Sequence, residues 1–191
     1  CKDGRFKKVL YDNEMQKTNR TFAIIKTTKE NIVINSFISK QNMILIIITS
    51  IGRLFKYKLD NKYMAPVSKQ AQGTILNKLF PREEIISCCT CRTDDHIVII
   101  TKKGCFFRVN ENEIHDSYSA KLGFIDSKLQ IKNDIFLSVI KDNKYCEIVT
   151  NKERSAKINF EKLKINVNTK KFEIDFLDFK NDEYINNIYF S

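Results

Sequence analysis

The chain has 191 residues, with 33 Lys and Arg against 23 Asp and Glu, a formal net charge of +10 and a pI near 9.3. Gly (5) and Pro (2) are scarce, Trp is absent, and Ile, Phe, Tyr and Val are plentiful, which excludes a disordered chain and favours strands over helices. No apolar run reaches the ~18–20 residues of a membrane-spanning helix, nothing reads as a signal peptide, and the positive balance fits a polyanionic partner, nucleic acid before anionic membrane, or simple solubility.

In chain order, Cys1-Lys2-Asp3-Gly4 reads as a turn and Arg5-Phe6-Lys7-Lys8-Val9 as the strand after it. The polar residues 16–21 follow. Phe22-Ala23-Ile24-Ile25 is predicted to start a strand, and residues 31–38 to form another, parted from Met43 by Ser39-Lys40-Gln41-Asn42. Residues 43–59, MILIIITSIGRLFKYKL, give the clearest pattern: an apolar strand, a tight turn at Thr49-Ser50-Ile51-Gly52, and a strand alternating basic and apolar residues. A long connection over residues 60–82 holds Pro66, the stretch 68–73 and a short apolar piece at 74–80. Loops of that length are often functional. Residues 83–91 and 96–101 lead to a second such turn, Thr101-Lys102-Lys103-Gly104, followed by Cys105-Phe106-Phe107-Arg108-Val109. Residues 110–133 form another long connection, centred on 118–125. Residues 134–140 and 144–150 approach Thr150-Asn151-Lys152-Glu153, which is followed by Arg154-Ser155-Ala156-Lys157-Ile158. Strands are predicted again at 172–179 and 184–190. The acidic residues there, Glu173, Asp175, Asp178, Asp182 and Glu183, read as a solvated face before an acidic end that tunes how tightly a basic surface holds nucleic acid. The chain opens on Cys1 within a unit, so a longer parent protein is expected.

The fourth turn positions fall at 4, 52, 104 and 153, steps of 48, 52 and 49. A period near 50 with several short strands per unit is that of a propeller-like array, in which one unit cannot bury its own face without neighbours. No position between units reads as a linker, and residues 1–191 are taken as one all-β domain. Gly closes three of the four turns, as a type I turn ending in a left-handed residue requires. Glu153 stands in the fourth. A side chain there costs roughly 1–2 kcal/mol, and a looser turn is expected. Gly73 and Gly123 follow Gly52 and Gly104 by 21 and 19 residues, in register with the repeat.

Four residues past each turn end stand Lys8, Lys56, Arg108 and Lys157; one further stand Val9, Tyr57, Val109 and Ile158. Neighbours on a strand point to opposite faces. The expectation is that each unit buries the apolar position and shows a positive charge on its other face, as a functional stripe or as ordinary exposed strand lysines. Cys1, Cys88, Cys89, Cys91, Cys105 and Cys146 form no Cys-x-x-Cys pair, and His96 and His115 stand at no ligand-like spacing from them. Reduced thiols acting as small hydrophobes, and no metal, are expected.

Several segments, in order, resemble the C-terminal repeats of the bacterial-type DNA gyrase A chain and its topoisomerase IV counterpart. Residues 49–59 resemble the family's strand-turn-strand ending in a basic strand. Ser68-Lys69-Gln70-Ala71-Gln72-Gly73 and Ile75-Leu76-Asn77-Lys78-Leu79 resemble its Ser-Arg-x-Ala-Arg-Gly loop and the Asn-Leu-Leu segment beyond it. Residues 97–109 resemble its Thr-Lys-Lys-Gly turn, and Gly123-Phe124-Ile125 its Asn-Gly-Ile-Ile step. The likeness covers residues 1–145 and is poor in the last unit.

The resemblance implies an all-β β-pinwheel, a propeller-like array of four-stranded blades with about four repeats here, against six in a complete gyrase ring; an open ring is expected. It implies duplex DNA bent and wrapped without sequence preference on a basic rim, within a type IIA topoisomerase that changes supercoiling. The catalytic tyrosine in the rest of the gyrase A chain, the ATPase partner gyrase B, and the ATP and Mg they use lie outside this chain, which holds no cofactor and touches no membrane. Localisation follows as cytoplasmic and nucleoid-associated, or plastid. The residues expected on DNA are Arg5, Lys8, Lys17, Arg20, Arg53, Lys56, Lys58, Lys69, Lys102, Lys103, Arg108, Lys121 and Lys157. Gyrase's Gln-Arg-Arg-Gly-Gly-Lys-Gly box corresponds to Gln16-Lys17-Thr18-Asn19-Arg20-Thr21, where the glycines are absent; this leans toward a topoisomerase IV-like or degenerate tail.

The expected mechanism is electrostatic: cations on a curved rim neutralise phosphates and release counterions, and contacts to phosphate carry no sequence information. A protein-interaction propeller is the alternative, although the Trp-Asp signals of such arrays are missing. An enzyme reading is weakest, with no Gly-rich phosphate loop and no metal spacing.

Overall fold

The computed structural model describes residues 1–11, 23–40, 42–62, 64–76, 78–117, 124–125, 134–142, 145–163, 179 and 182–190. Among the described residues twelve strands carry the fold: β1 (Arg5–Phe6), β2 (Ile44–Thr49), β3 (Arg53–Lys58), β4 (Thr74–Ile75), β5 (Ile85–Cys91), β6 (His96–Thr101), β7 (Phe106–Asn110), β8 (Phe124–Ile125), β9 (Phe136–Lys141), β10 (Tyr145–Thr150), β11 (Ser155–Asn159) and β12 (Ile185–Phe190). Two single 3-10 turns, Glu111–Glu113 and Phe160–Lys162, are the helical elements among the described residues. The architecture is all-β, as expected.

The second, third and fourth units are each built on an antiparallel hairpin: β2–β3, β6–β7 and β10–β11. The turn amides close on the first turn residue, Gly52 N–H to the Thr49 carbonyl at 3.0 Å, Gly104 to Thr101 at 3.1 Å and Glu153 to Thr150 at 3.0 Å. The buried Thr hydroxyls then accept the amide just past the turn, from Arg53 at 3.2 Å, Cys105 at 2.9 Å and Arg154 at 3.4 Å. Gly52 and Gly104 take φ of +82° and +78°. Glu153 takes +59° and keeps the same closing bond, so the fourth turn is built like the others rather than loosened. The pairing geometry imposes the left-handed residue even where a side chain strains it.

The strand after the hairpin returns to its own sheet: β5 pairs with β2, β9 with β6 and β12 with β10, each antiparallel and each with a register shift near its start. The two-residue strands go elsewhere. β4, from the connection after β3, pairs with β1 of the preceding unit, and β8, from the connection after β7, pairs with β3. Each of these connections therefore lends a strand to the sheet before it. The resulting orders are β1-β4, β5-β2-β3-β8, β7-β6-β9 and β11-β10-β12, so one sheet has four strands among the described residues.

The sheets stack face to face. Ile44, Ile46 and Ile48 of β2 meet Ile97 and Ile99 of β6 in one apolar layer. Val98 and Ile100, on the other face of β6, meet Ile148 and Ile158 in the next. Leu45 and Ile47 face the first unit with Phe55 and Tyr57. A strand buried on both sides loses the apolar–polar alternation of a half-buried one, which is why all six residues of β2 are buried. Cys89 and Cys91 pack into these layers, and desolvation pushes the Cys91 thiol to about 12.

Two expectations are corrected. Residues 23–25 and 31–38 form no strand. The Ile32 carbonyl still accepts from Lys2 N–H at 3.0 Å, just as Glu84, Ile135 and Tyr184 accept from Ser50, Lys102 and Asn151 ahead of β5, β9 and β12. Residues 33–39 thus occupy the place of a returning strand with no inner strand to pair with among the described residues. Glu183 is buried rather than solvated, and accepts from the Thr150 hydroxyl at 2.8 Å and from Arg154 at 2.8 Å. The strand expected at 172–179 lies outside the described residues except for Phe179.

Candidate nucleic-acid interface

Bases recur at turn-plus-four because the strand there faces the next unit. In β3, Lys56 pairs with Ile46 and shares its face. Its ammonium reaches across to Glu111 Oε1 at 3.0 Å, Asp116 Oδ1 at 3.2 Å and the Glu111 carbonyl at 3.4 Å. Burial works to lower the Lys56 pKa, but the hydrogen bonds and charges of Glu111 and Asp116 outweigh it and hold the ammonium above its ordinary range. Lys8 makes the equivalent reach, donating to the Leu59 carbonyl at 2.9 Å and to Asn61 Oδ1 at 3.0 Å in the unit after it. Arg108 is held by Asp142 at 2.6 Å and extends to the Leu163 carbonyl at 3.5 Å. Lys157 has no following unit among the described residues; it is exposed and lies 4.5 Å over the Tyr145 ring. The repeated base is a staple between units. The expectation that Lys56 and Arg108 display charge to a phosphate is corrected, because each is largely desolvated and engaged by carboxylates.

Arg53 is corrected more strongly. Its side chain is 1% exposed, sits 4.3 Å from the Phe80 ring centre, donates from Nε to Glu83 Oε1 at 2.7 Å and also pairs with Glu83 Oε2. Burial alone would raise the Glu83 pKa. Hydrogen bonds from Arg53, the Phe80 amide and Thr49 override it and hold the carboxyl below its usual value. Arg154 and Glu183 repeat the arrangement in the fourth unit. In the third, Cys105 stands in the arginine's place and Asp134 in the glutamate's. Asp134 Oδ1 accepts from Lys103 N–H at 2.9 Å, while the buried Oδ2 has no partner among the described residues. The signal in the sequence was an Arg directly after a turn with a Glu 29 or 30 residues on.

The remaining expected contacts divide. Arg5 leans on Asp3 at 3.5 Å and reaches Gln72 at 3.5 Å, and is half-buried. Lys69 is half-buried, with its carbonyl accepting from Lys7 Nζ at 2.6 Å. Lys102 lies 4.1 Å over the Tyr184 ring. Lys58 and Lys103 are exposed, at opposite ends of their hairpins: Lys58 closes β3, while Lys103 sits in the β6–β7 turn. Lys17, Arg20 and Lys121 lie outside the described residues. Lys62, Lys78 and Arg82 of the β3–β5 connection are also exposed, as is Lys152, which takes the Lys103 position in the fourth turn; none belongs to the expected set. Apart from Lys157 at the centre of β11, these exposed cations sit at turns, strand ends and connections.

A scan against protein-family models finds no match, and a search of curated proteins by sequence finds none. Solved structures do match. A DNA gyrase A C-terminal domain aligns over 66% of this chain and 41% of its own, with 21% identity and a TM-score of 0.55. The C-terminal domain of a DNA topoisomerase IV aligns over 78% and 46%, with 17% identity and a TM-score of 0.65. The E. coli ParC C-terminal domain aligns over 79% and 63%, with 14% identity and a TM-score of 0.53. The chain spans less than two thirds of each of these structures. Its fold is that of the gyrase A and topoisomerase IV C-terminal domains, a β-pinwheel.

Proposed function

We propose that the chain binds duplex DNA without sequence preference, as the C-terminal module of the gyrase A-like chain of a type IIA topoisomerase. The observation that carries the reading is a net charge of +10 on a fold shared with gyrase A and topoisomerase IV C-terminal domains. Within that reading, Lys58, Lys103 and Lys157 contact phosphates directly, Arg5, Lys8, Lys69 and Lys102 contribute from half-buried positions, and Lys17, Arg20 and Lys121 add charge on the connections. Neutralised phosphates release counterions, so affinity falls steeply with salt. Bending the duplex costs a few kcal/mol, repaid as further units engage.

The module performs no reaction. The catalytic tyrosine, the ATPase partner, and their ATP and Mg belong to the other parts of the holoenzyme, which changes DNA supercoiling in a nucleoid or plastid. Gel-shift titration with short and long duplexes at two salt concentrations tests the reading. Tighter binding to the longer duplex, weakened by salt, is expected. Binding indifferent to both length and salt would refute it.

A further inference from the structure

Lys7 stands three residues past the turn at Gly4, where the second and third units carry Phe55 and Phe107, both buried. An ammonium carries three N–H donors. Lys7 directs its own to backbone carbonyls from two distant segments: those of Lys69 at 2.6 Å and Ala71 at 2.6 Å, and that of Ile24. The loop it grips, residues 68–73, is pinned at both ends to the chain around Lys7. Val67 N–H donates to the Lys8 carbonyl at 2.9 Å, and Thr74 pairs with Phe6. Between the pins the loop turns on itself, Ala71 N–H closing on the Ser68 carbonyl at 3.1 Å. The backbone of residues 6 and 8 thus holds the two ends of the loop, and the side chain of residue 7 holds its middle.

This grip decides what the loop shows to solvent. In a trans peptide the carbonyl and the following N–H point opposite ways, and these peptides are trans. Turning the Lys69 and Ala71 carbonyls toward Lys7 therefore turns the Gln70 and Gln72 amides away from it. Neither amide meets an acceptor among the described residues, and Ser68, Gln70 and Gln72 are all exposed. Outward backbone amides beside a lysine are donors for phosphate oxygens.

We propose, resting on the duplex-binding reading above, that Lys7 is a positioning residue for a phosphate contact made by the loop 68–73. Its own donors go to carbonyls, so it touches no phosphate. It acts through the loop, presenting the Gln70 and Gln72 amides and Lys69 to the DNA backbone. Charge alone does not suffice for this role. Three carbonyls gathered about one point suit a compact ammonium, and a planar guanidinium fork does not reproduce them.

Hydrogen exchange and binding of a labelled duplex, measured on the parent, Lys7→Met and Lys7→Arg, test this. In both variants the Val67 and Ala71 amides that close the loop are expected to exchange about tenfold faster, with β2 and β6 unchanged. Both variants are expected to bind the duplex about tenfold more weakly. Lys69→Ala is expected to cost less affinity in the Lys7→Met background than in the parent, because the two residues act through one loop. Parent-like affinity in Lys7→Arg alongside a loss in Lys7→Met would make Lys7 a direct phosphate contact and overturn the inference. Unchanged exchange in both variants, or losses that simply add to that of Lys69→Ala, would overturn it as well. A parent that binds no duplex refutes the DNA reading and this role with it, whereas a parent that binds no better than either variant refutes this role alone.

Discussion

The Arg53 guanidinium and the Glu83 carboxylate meet with both side chains 1% exposed, bridging the turn of the β2–β3 hairpin to the connection that leads into β5. The Thr49 hydroxyl and the Phe80 amide complete the carboxylate's hydrogen bonds. This pair locks the returning strand against the turn, and the fourth unit repeats it with Arg154 and Glu183.

Removing one member strands the other. Glu83→Gln is expected to destabilise the protein by about 3 kcal/mol, and Arg53→Met combined with Glu83→Gln to recover part of that loss, because breaking a buried pair costs more than replacing it. The carboxyl is held below its unfolded value, so its contribution is present above the usual glutamate range and lost as pH falls through the depressed folded value. Urea denaturation between pH 3 and pH 7 checks both points: the variant should show a shallower acid loss than the parent.

Asp134 offers the contrast. No arginine among the described residues faces it, since Cys105 stands in that place, and Asn retains the oxygen that accepts from Lys103. Asp134→Asn is expected to cost less than about 1 kcal/mol, within the range of one exchanged hydrogen bond. Parallel thermal melts of Asp134→Asn and Glu83→Gln decide it. Equal losses would show that the Asp134 carboxylate has a cationic partner after all.

Stapling bases and phosphate-binding bases separate in a salt titration. Lys56→Met is expected to lower Tm while leaving the slope of log affinity against log salt unchanged. Lys103→Ala and Lys157→Ala are each expected to reduce that slope by about 1 and leave Tm within a degree or two, as one lost phosphate contact requires. Fluorescence anisotropy with a labelled duplex at 50–200 mM salt measures this. A reduced slope for Lys56→Met would return that lysine to the DNA surface.

Glu153 holds φ +59° on an exposed turn. Glu153→Gly is expected to raise stability by about 0.5–1 kcal/mol, relief of left-handed strain exceeding the added entropy of the unfolded chain. The midpoint of urea unfolding reads it, and a lower midpoint would count against the strain.

The hairpins were legible because a turn with a left-handed residue between apolar runs leaves a strong local mark, seen at Thr49–Gly52 and Thr101–Gly104. Even the lent strands left a trace, in Gly73 and Gly123 at similar distances from the turn glycines; Gly73 takes φ +83° where an added Cβ would fall 2.6 Å from the Phe6 carbonyl oxygen. The facing of Lys56 was not legible. Alternation says that a side chain changes sides, not what stands opposite, and stacked sheets turn both sides inward. The Arg53–Glu83 pair was hidden for a related reason: its members are joined by the path of a long connection, whose course no local pattern records. Residues 31–38 have the composition of a strand but pair with no strand among the described residues, and composition does not supply a neighbour.

The lent strands have a temporal consequence. Arg5 cannot meet Ile75, nor Arg53 meet Ile125, until the intervening chain has been synthesised. During translation each of these two sheets is therefore unfinished at first, its edge waiting for a piece the ribosome has not yet released. Synthesis that stalls between residues 60 and 73 would leave the first sheet open however long the nascent chain waits, and a delay there sets how long an unpaired edge is shown to the cell.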